Sequence, residues 1–329
     1  MRESDFERVR QLRLDRLRQL KRPAARGGRA RVPPASVSVA SRTAIWRLAA
    51  TPRCARSHLD EVVRFHKATF LPWRATLVVA GALSHAELLA TADEAFGGWT
   101  GEENVPDIPF AAADVTPDAN SSPHLAIVPR EGAAQSELRI GHLSARRDTP
   151  DYVPLLVMNA ILGGQFVSRI NLKLREEKAF TYGVRTGFDW RRGSVRFRCR
   201  RASTPRRPAE SIADTLQEIS GLRGARPATA QEMSLAQASL TRGYPRNFET
   251  AQQVARSVAQ LALFDLPDTY FEEFVPKVNA VTEDEVTRVA QAYLDPSRAI
   301  ALVVGDRSAT EKSLAALGLG DGAVLPPAG

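Results

Sequence analysis

A gapless internal repeat constrains this chain more than any other feature. The stretch DEVVRFHKATFLPWRATLVVAG (60–81) returns 224 residues later as DEVTRVAQAYLDPSRAIALVVG (284–305), with ten of 22 positions identical. The shared positions include the Asp-Glu-Val start, Arg64/Arg288, Pro72/Pro296, Arg74/Arg298 and Gly81/Gly305. Both copies read as a helix, a proline that stops it, then an apolar strand that ends at glycine. Self-likeness at this spacing indicates two copies of one domain fold and excludes a short-period solenoid.

Residues 101–122, GEENVPDIPFAAADVTPDANSS, are rich in Pro, Asp, Asn and Ala and carry neither helical nor strand period, so they read as a linker. The expected organisation is 1–100 as the back half of a first domain, 101–122 as linker, 123–320 as a complete second domain and 321–329 as tail. Applying the repeat offset to a second domain that starts near Pro123 puts the start of its counterpart about 100 residues before Met1. The front half of the first domain is therefore expected outside this sequence.

Within 123–320, HLAIVPR and SELRIGHLS alternate like strands, and DYVPLLVMNAILGG reads as an apolar helix closed by Gly163 and Gly164. FVSRINLKLREEKA reads as a second helix, followed by strands FTYGVRTGF and SVRFRCRRA. Ile212, Leu216 and Ile219 mark one face of a later helix, and Thr229/Glu232 and Thr282/Glu285 are capping boxes. Strands and helices mix without strict alternation, so the expected class is α+β, two homologous domains of mixed sheet with packed helices, the first incomplete.

Composition narrows the functional classes. With 43% hydrophobic and 25% charged residues the chain is an ordinary soluble type, expected in the cytoplasm or periplasm, with no apolar run of bilayer length. The N-terminal MRESDFERVRQLRLDRLRQLKRP is charged throughout and reads as an amphipathic helix rather than a secretory signal. The net charge of +8 comes mostly from seven arginines between Ala24 and His58, a stretch with no acid or lysine. No aromatic interleaving or zinc-finger spacing accompanies it, so no nucleic-acid partner is expected. Residues 25–57, rich in Arg, Ala, Ser and Pro, are unlike a globular segment and are expected to be disordered or translated out of frame. Cys54 and Cys199 supply neither a disulfide framework nor metal-ligand spacing, and Cys199 reads as a buried strand residue.

The catalytic inventory is short. The five histidines (His58, His66, His85, His124, His142) include no pair one helical turn apart, and neither HExxH nor HxxEH occurs. HLDEV (58–62) comes nearest, but it aligns with TEDEV (282–286), whose Thr282 is a cap, so it reads as a helix start. No GxSxG and no GxxxxGK[ST] is present. Arg196, Arg198 and Arg200 alternate on one strand face, which reads as solvated. LREEKAFTYGV (174–184) remains, with Arg175 and Tyr182 on either side of a short helix-to-strand turn. These are either a surface arginine and a strand aromatic, or a pair that meets in one cleft. In the second case a guanidinium anchors a peptide carbonyl or carboxylate, and a phenol donates to a developing oxyanion.

Three stretches, NAILGGQFVSRINLKLREEKAFTYGV (159–184), QEMSLAQASLTRGYPRNFETAQQVA (231–255) and VTEDEVTRVAQAYLDPSRAIALVVG (281–305), together resemble the insulinase/pitrilysin metallopeptidases. That family includes the mitochondrial processing peptidases and uses an inverted HxxEH zinc motif. The resemblance implies two homologous α+β domains around a peptide-holding chamber, zinc in the first domain and an Arg/Tyr pair in the second. Arg175 and Tyr182 stand at the places of that pair. The N-terminal helix resembles the one bearing the family's third zinc ligand, with Leu14 near the ligand position. On this resemblance the chain binds no zinc and has no catalytic residue of its own. It is expected to hold a peptide or protein substrate beside a zinc-bearing homologous subunit. The alternatives are a structural scaffold partner and a non-functional fragment.

Overall fold

A computed structural model describes residues 2–21, 54–101, 124–133, 135–192, 195–204, 207–320 and 322–325. Most of 25–57 and, apart from Gly101, all of the expected linker lie outside these residues. The described helices are α1 (Glu3–Lys21), α2 (Leu59–Thr69), α3 (His85–Phe96), α4 (Tyr152–Asn159), α5 (Arg169–Asn171), α6 (Pro208–Ser220), α7 (Ala230–Arg242), α8 (Ala251–Phe264), α9 (Tyr270–Ala280), α10 (Glu283–Tyr293) and α11 (Arg307–Ala315). The described strands are β1 (Leu125–Pro129), β2 (Ser136–Ser144), β3 (Val184–Phe188), β4 (Val195–Thr204), β5 (Ile300–Gly305) and β6 (Ala323–Val324).

Contacts divide the described residues into two compact units. The first holds 2–18, 54–101 and 243–271, and the second holds the remainder. The second unit is built on one six-stranded sheet of order β3-β4-β2-β5-β1-β6. β1 runs parallel to β5 and β6, and the other pairs are antiparallel, so the sheet is mixed. The continuous apolar run of β5 follows from burial on both faces: Ala301 to Val304 are all buried. Helix α6 packs on β2, α11 on β1, and α4 against α7 and α10. Leu155, Met158, Leu162, Ile170, Leu174 and Phe197 are almost wholly removed from water. Burying each such side chain stabilises the fold by about 1.5–3 kcal/mol.

Tyr152–Glu177 has the length and composition of a membrane span, but more than half of its apolar window is buried inside the protein. The stretch is also broken between Gln165 and Ser168. Its hydrophobicity serves the core of the second unit.

The repeat appears in local structure to the residue. Under the offset, α2 and α10 have the same bounds, and each is followed by a 3-10 turn, Pro72–Arg74 in one copy and Pro296–Arg298 in the other. Thr282 accepts from the Glu285 amide while Glu285 accepts from the Thr282 amide, which is the expected box. His58 starts α2 in the same place, and Glu61 accepts its N–H at 3.1 Å.

Four expectations change. The apolar run 75–80 is not a strand, although its copy 299–304 enters β5; a strand needs a neighbour, and no described residue pairs with it. The 321–329 tail contains β6, which pairs with Ala126 and Ile127. Gly163 and Gly164 do not cap a helix in a left-handed conformation; a π-helical turn, Ala160–Gly164, continues α4 through them. A Cβ on Gly163 would lie 2.6 Å from the Thr186 side chain, so the glycine permits close helix-to-strand approach. β3 begins at Val184 rather than Phe180, for reasons that belong to the site.

Candidate functional site

The site is the connection from α5 to β3, and local geometry explains its shape. α5 runs into a π-helical turn, Leu172–Glu177, that carries Arg175. The helix stops because Ala179 takes φ 51°, the left-handed region that a Cβ disfavours. The Phe180 N–H then donates to the Leu174 carbonyl at 2.8 Å, closing the wide π-helical end. Thr181 is buried, and its hydroxyl oxygen accepts from the Gly183 N–H at 3.2 Å. The turn is thereby held while Tyr182, at its tip, points away.

Asn171 fixes the far end. Its Oδ1 accepts from the Val184 N–H at 2.8 Å, and its Nδ2 donates to the Val184 carbonyl at 2.8 Å, to the Gln165 carbonyl at 3.0 Å and to the Ser168 hydroxyl at 3.1 Å. A side chain thus takes both backbone groups of Val184, and ladder pairing starts only there. Lys178, inside the turn, donates to both carboxylate oxygens of Asp214 at 2.8 Å. Arg169 forks onto Glu232 at 2.6 and 2.7 Å and also donates to the Arg226 and Pro227 carbonyls. Burial works to raise the Glu232 carboxyl, yet the Arg169 bond and those to Thr229 outweigh it and hold it below the usual range.

The two candidate side chains behave differently. The Arg175 guanidinium carbon lies 3.7 Å from the centre of the Phe166 ring, a cation–π stack. Its buried Nη1 is 3.1 Å from Glu176 Oε1, an ion pair whose geometry makes no hydrogen bond. Tyr182 is 90% exposed. A groove of about 560 Å3 between α7 and the α9–α10 corner, lined by Met233, Gln237, Thr241, Asn279 and Val281 among others, includes neither residue. Phe166, Asn171 and Ala179 were not singled out from sequence. An asparagine two residues into a helix and an alanine at a helix end carry no distinctive spacing.

Among the described residues, no group of three His, Cys, Asp or Glu is placed to hold a metal. His66 stacks on Phe70 at 4.9 Å. His142 is buried, with Nδ1 2.7 Å from the Leu143 carbonyl and Nε2 accepting from the Asp295 N–H at 3.3 Å. Burial pushes its pKa down, against the Leu143 carbonyl, and an Nε2 that accepts from the Asp295 N–H carries no proton of its own. Arg198 pairs with Asp189 at 3.1 Å, while Phe197 and Cys199 beside it are buried. These residues do not fit zinc. They offer a cation, a phenol and an aromatic face, groups that donate hydrogen bonds and stack.

Residues 58–240 match the model of a family described as the peptidase M16 inactive domain. This chain belongs to that family. It is an insulinase-type peptidase homologue whose sequence carries no HxxEH. An uncharacterized zinc protease of Mycobacterium tuberculosis is 27% identical over 235 residues, 70% of this chain and 51% of that protein. A similar protein of Mycobacterium leprae is 25% identical over 233 residues, again 70% and 51%. The chain spans about half the length of the curated relatives it matches. Among solved structures, a protease from Helicobacter pylori shares the fold at TM-score 0.77 and 14% identity, over 92% of this chain and 73% of that one. A peptidase M16 inactive domain from Pseudomonas fluorescens does so at TM-score 0.74 and 18% identity, over 93% and 71%. At these identities the structural likeness speaks for the fold alone.

Proposed function

We propose that this M16-family chain is the non-catalytic, Arg/Tyr-bearing partner of a zinc-bearing homologous subunit, and that Arg175 and Tyr182 hold peptide substrate for it. The observation that carries the reading is Tyr182: a phenol 90% exposed at the tip of a turn whose other residues are bonded down. A tyrosine serving a core would bury its ring; here the ring is presented and the backbone beneath it is fixed. Arg175, stacked on Phe166, keeps a planar donor set beside the same turn. A peptide carboxylate or carbonyl is its natural ligand, and the phenol donates to the carbonyl oxygen under attack. Zinc belongs to the other subunit in this reading.

The test uses the full chain, tagged and purified with whatever zinc-bearing homologue it retains. The pair is expected to cleave unstructured peptide, and the chain alone to do so at no measurable rate. Tyr182→Phe in the reconstituted pair should lower kcat by about 100–1000-fold with KM little changed, because one transition-state donor is lost. Unchanged turnover would remove the assisting role and leave a scaffold. Chelator-sensitive cleavage by the chain alone would overturn the reading altogether.

A further inference from the structure

Two arginines reach the same short turn of the second unit. Gly164 to Ser168 joins the π-helical end of α4 to α5, and its backbone is fastened. The Gln165 carbonyl accepts from the Ser168 hydroxyl at 2.7 Å and from Asn171 Nδ2 at 3.0 Å. Arg175 places its guanidinium carbon 3.7 Å from the centre of the Phe166 ring. Arg185, on β3, donates through Nη1 to the Gly164 carbonyl at 3.2 Å. The cations around them have carboxylates of their own: Lys173 pairs with Glu177 at 2.6 Å, Lys178 with Asp214 at 2.8 Å and Arg169 with Glu232 at 2.6 Å. Arg185 is exposed and has no carboxylate partner among the described residues. Arg175 has Glu176, in an ion pair without a hydrogen bond. A helix C-terminus attracts a cation, but the Gly164 bond occupies one of the five N–H donors of Arg185.

The turn is also apolar on its outside. Of the exposed large hydrophobic side chains described in the second unit, Phe166, Val167, Leu172 and Tyr182 fall within 166–182, and Leu235 and Val324 are the others. Phe166 is 62% exposed although Arg175 stacks on it, so most of the ring still faces water. Scattered exposed apolar residues are ordinary; a group of them beside cations left without bonded acids marks a binding surface. We propose that Arg175, Arg185 and Phe166 form a subsite for a peptide that carries a carboxylate next to a large apolar side chain. The forked guanidinium donors take the carboxylate, and the apolar side chain packs on Phe166 and Val167. The inference rests on the reading of Arg175 as a peptide anchor, adds Arg185 to it and names the class of peptide. A backbone carbonyl would leave the charge of the two arginines unanswered, whereas a carboxylate neutralises part of it and accepts in bidentate fashion. That carboxylate is an acidic side chain or a chain end, which present the same group.

The test titrates the full chain with dye-labelled alanine-based peptides, read by fluorescence anisotropy. Three are amidated and carry one Glu–Phe, Gln–Phe or Glu–Ala step; a fourth carries no acidic side chain and ends in phenylalanine with a free carboxylate. The Glu–Phe peptide or the free-acid peptide should bind about tenfold or more tightly than Gln–Phe, and Glu–Phe similarly more tightly than Glu–Ala. Whichever acid binds more tightly identifies the source of the carboxylate, and the preference should shrink as salt rises. Arg185→Gln should remove most of the preference for the acid, and Arg185→Lys should keep part of it. Phe166→Ala should remove the preference for Phe over Ala, and Phe166→Trp should retain it. Both positions are exposed, and an unchanged urea midpoint shows that each variant is folded. Equal binding of all four peptides overturns the proposal, as does an acid preference undiminished in Arg185→Gln. The peptidase reading is judged separately, by turnover of the reconstituted pair. Turnover lost in Tyr182→Phe with no acid preference in binding would sink the subsite alone. An acid preference with turnover unchanged in Tyr182→Phe would keep the subsite and sink the assisting role.

Discussion

Asn171 gives the sharpest test of how the candidate site is held. Replacing it by leucine keeps the volume and removes four hydrogen bonds, two of them to Val184, which is 2% exposed. The Val184 N–H and carbonyl would then be buried without partners, each at a cost of about 1–3 kcal/mol. The leucine side chain returns about 1 kcal/mol through apolar burial, so the expected loss is about 1–5 kcal/mol. Asn171→Asp is the informative companion. It retains the acceptor for the Val184 N–H but turns a carboxylate toward the Val184 and Gln165 carbonyls, so its penalty should grow as pH rises and the carboxyl ionises. Urea denaturation reads the stability, and exchange of the Val184 amide reads the site itself. A loss under about 0.5 kcal/mol with Val184 protection unchanged would refute the view that this side chain starts β3 and anchors the Tyr182 turn.

Ala179→Gly should stabilise the protein by about 0.5–1 kcal/mol, because relief of the left-handed strain exceeds the added entropy of the unfolded chain; a lower urea midpoint would contradict the assigned conformation. Glu232→Gln should cost about 1–2 kcal/mol in urea unfolding, discounted for partial exposure, because Arg169 loses its forked carboxylate partner. The folded-state pKa of His142 lies below its unfolded value, so the unfolded chain binds more protons between the two. Its contribution is therefore complete above about pH 6.5 and is lost as pH falls from there through the lowered folded value. His142→Gln should flatten that part of a stability-against-pH curve, and an unchanged slope would count against a buried neutral imidazole.

What could be read in the sequence follows the range of the interactions involved. The bounds of α2 and α10 are set by caps, acidic first turns and a proline three residues beyond the end, all local, and both copies obey them. The strand expected at 75–80 failed because apolar alternation says that a segment can pair, not that a neighbour exists. Phe180 to Gly183 were read as strand for the same reason; the left-handed Ala179 and the Asn171 clamp decide otherwise, and neither leaves a periodic trace. Gly163 was legible as special but for the wrong cause, since a close approach to Thr186 depends on a residue 23 positions away. Arg175 and Tyr182 stand out first by their places on either side of a helix-to-strand turn and then by the resemblance; their surroundings, a ring stacked on one and a fastened turn beneath the other, could not be read in the sequence.

The twin helices also give the chain an instrument of its own. Two segments of equal length and matched start and stop signals sit in one molecule, one covered and one open to water. Any difference between their exchange rates in a single sample is free of errors in concentration, pH or temperature. The ratio measures what tertiary cover contributes to a helix whose own code already fixes its ends. If something comes to rest on α2, the ratio should move toward one, and the protein would report the arrival without a label.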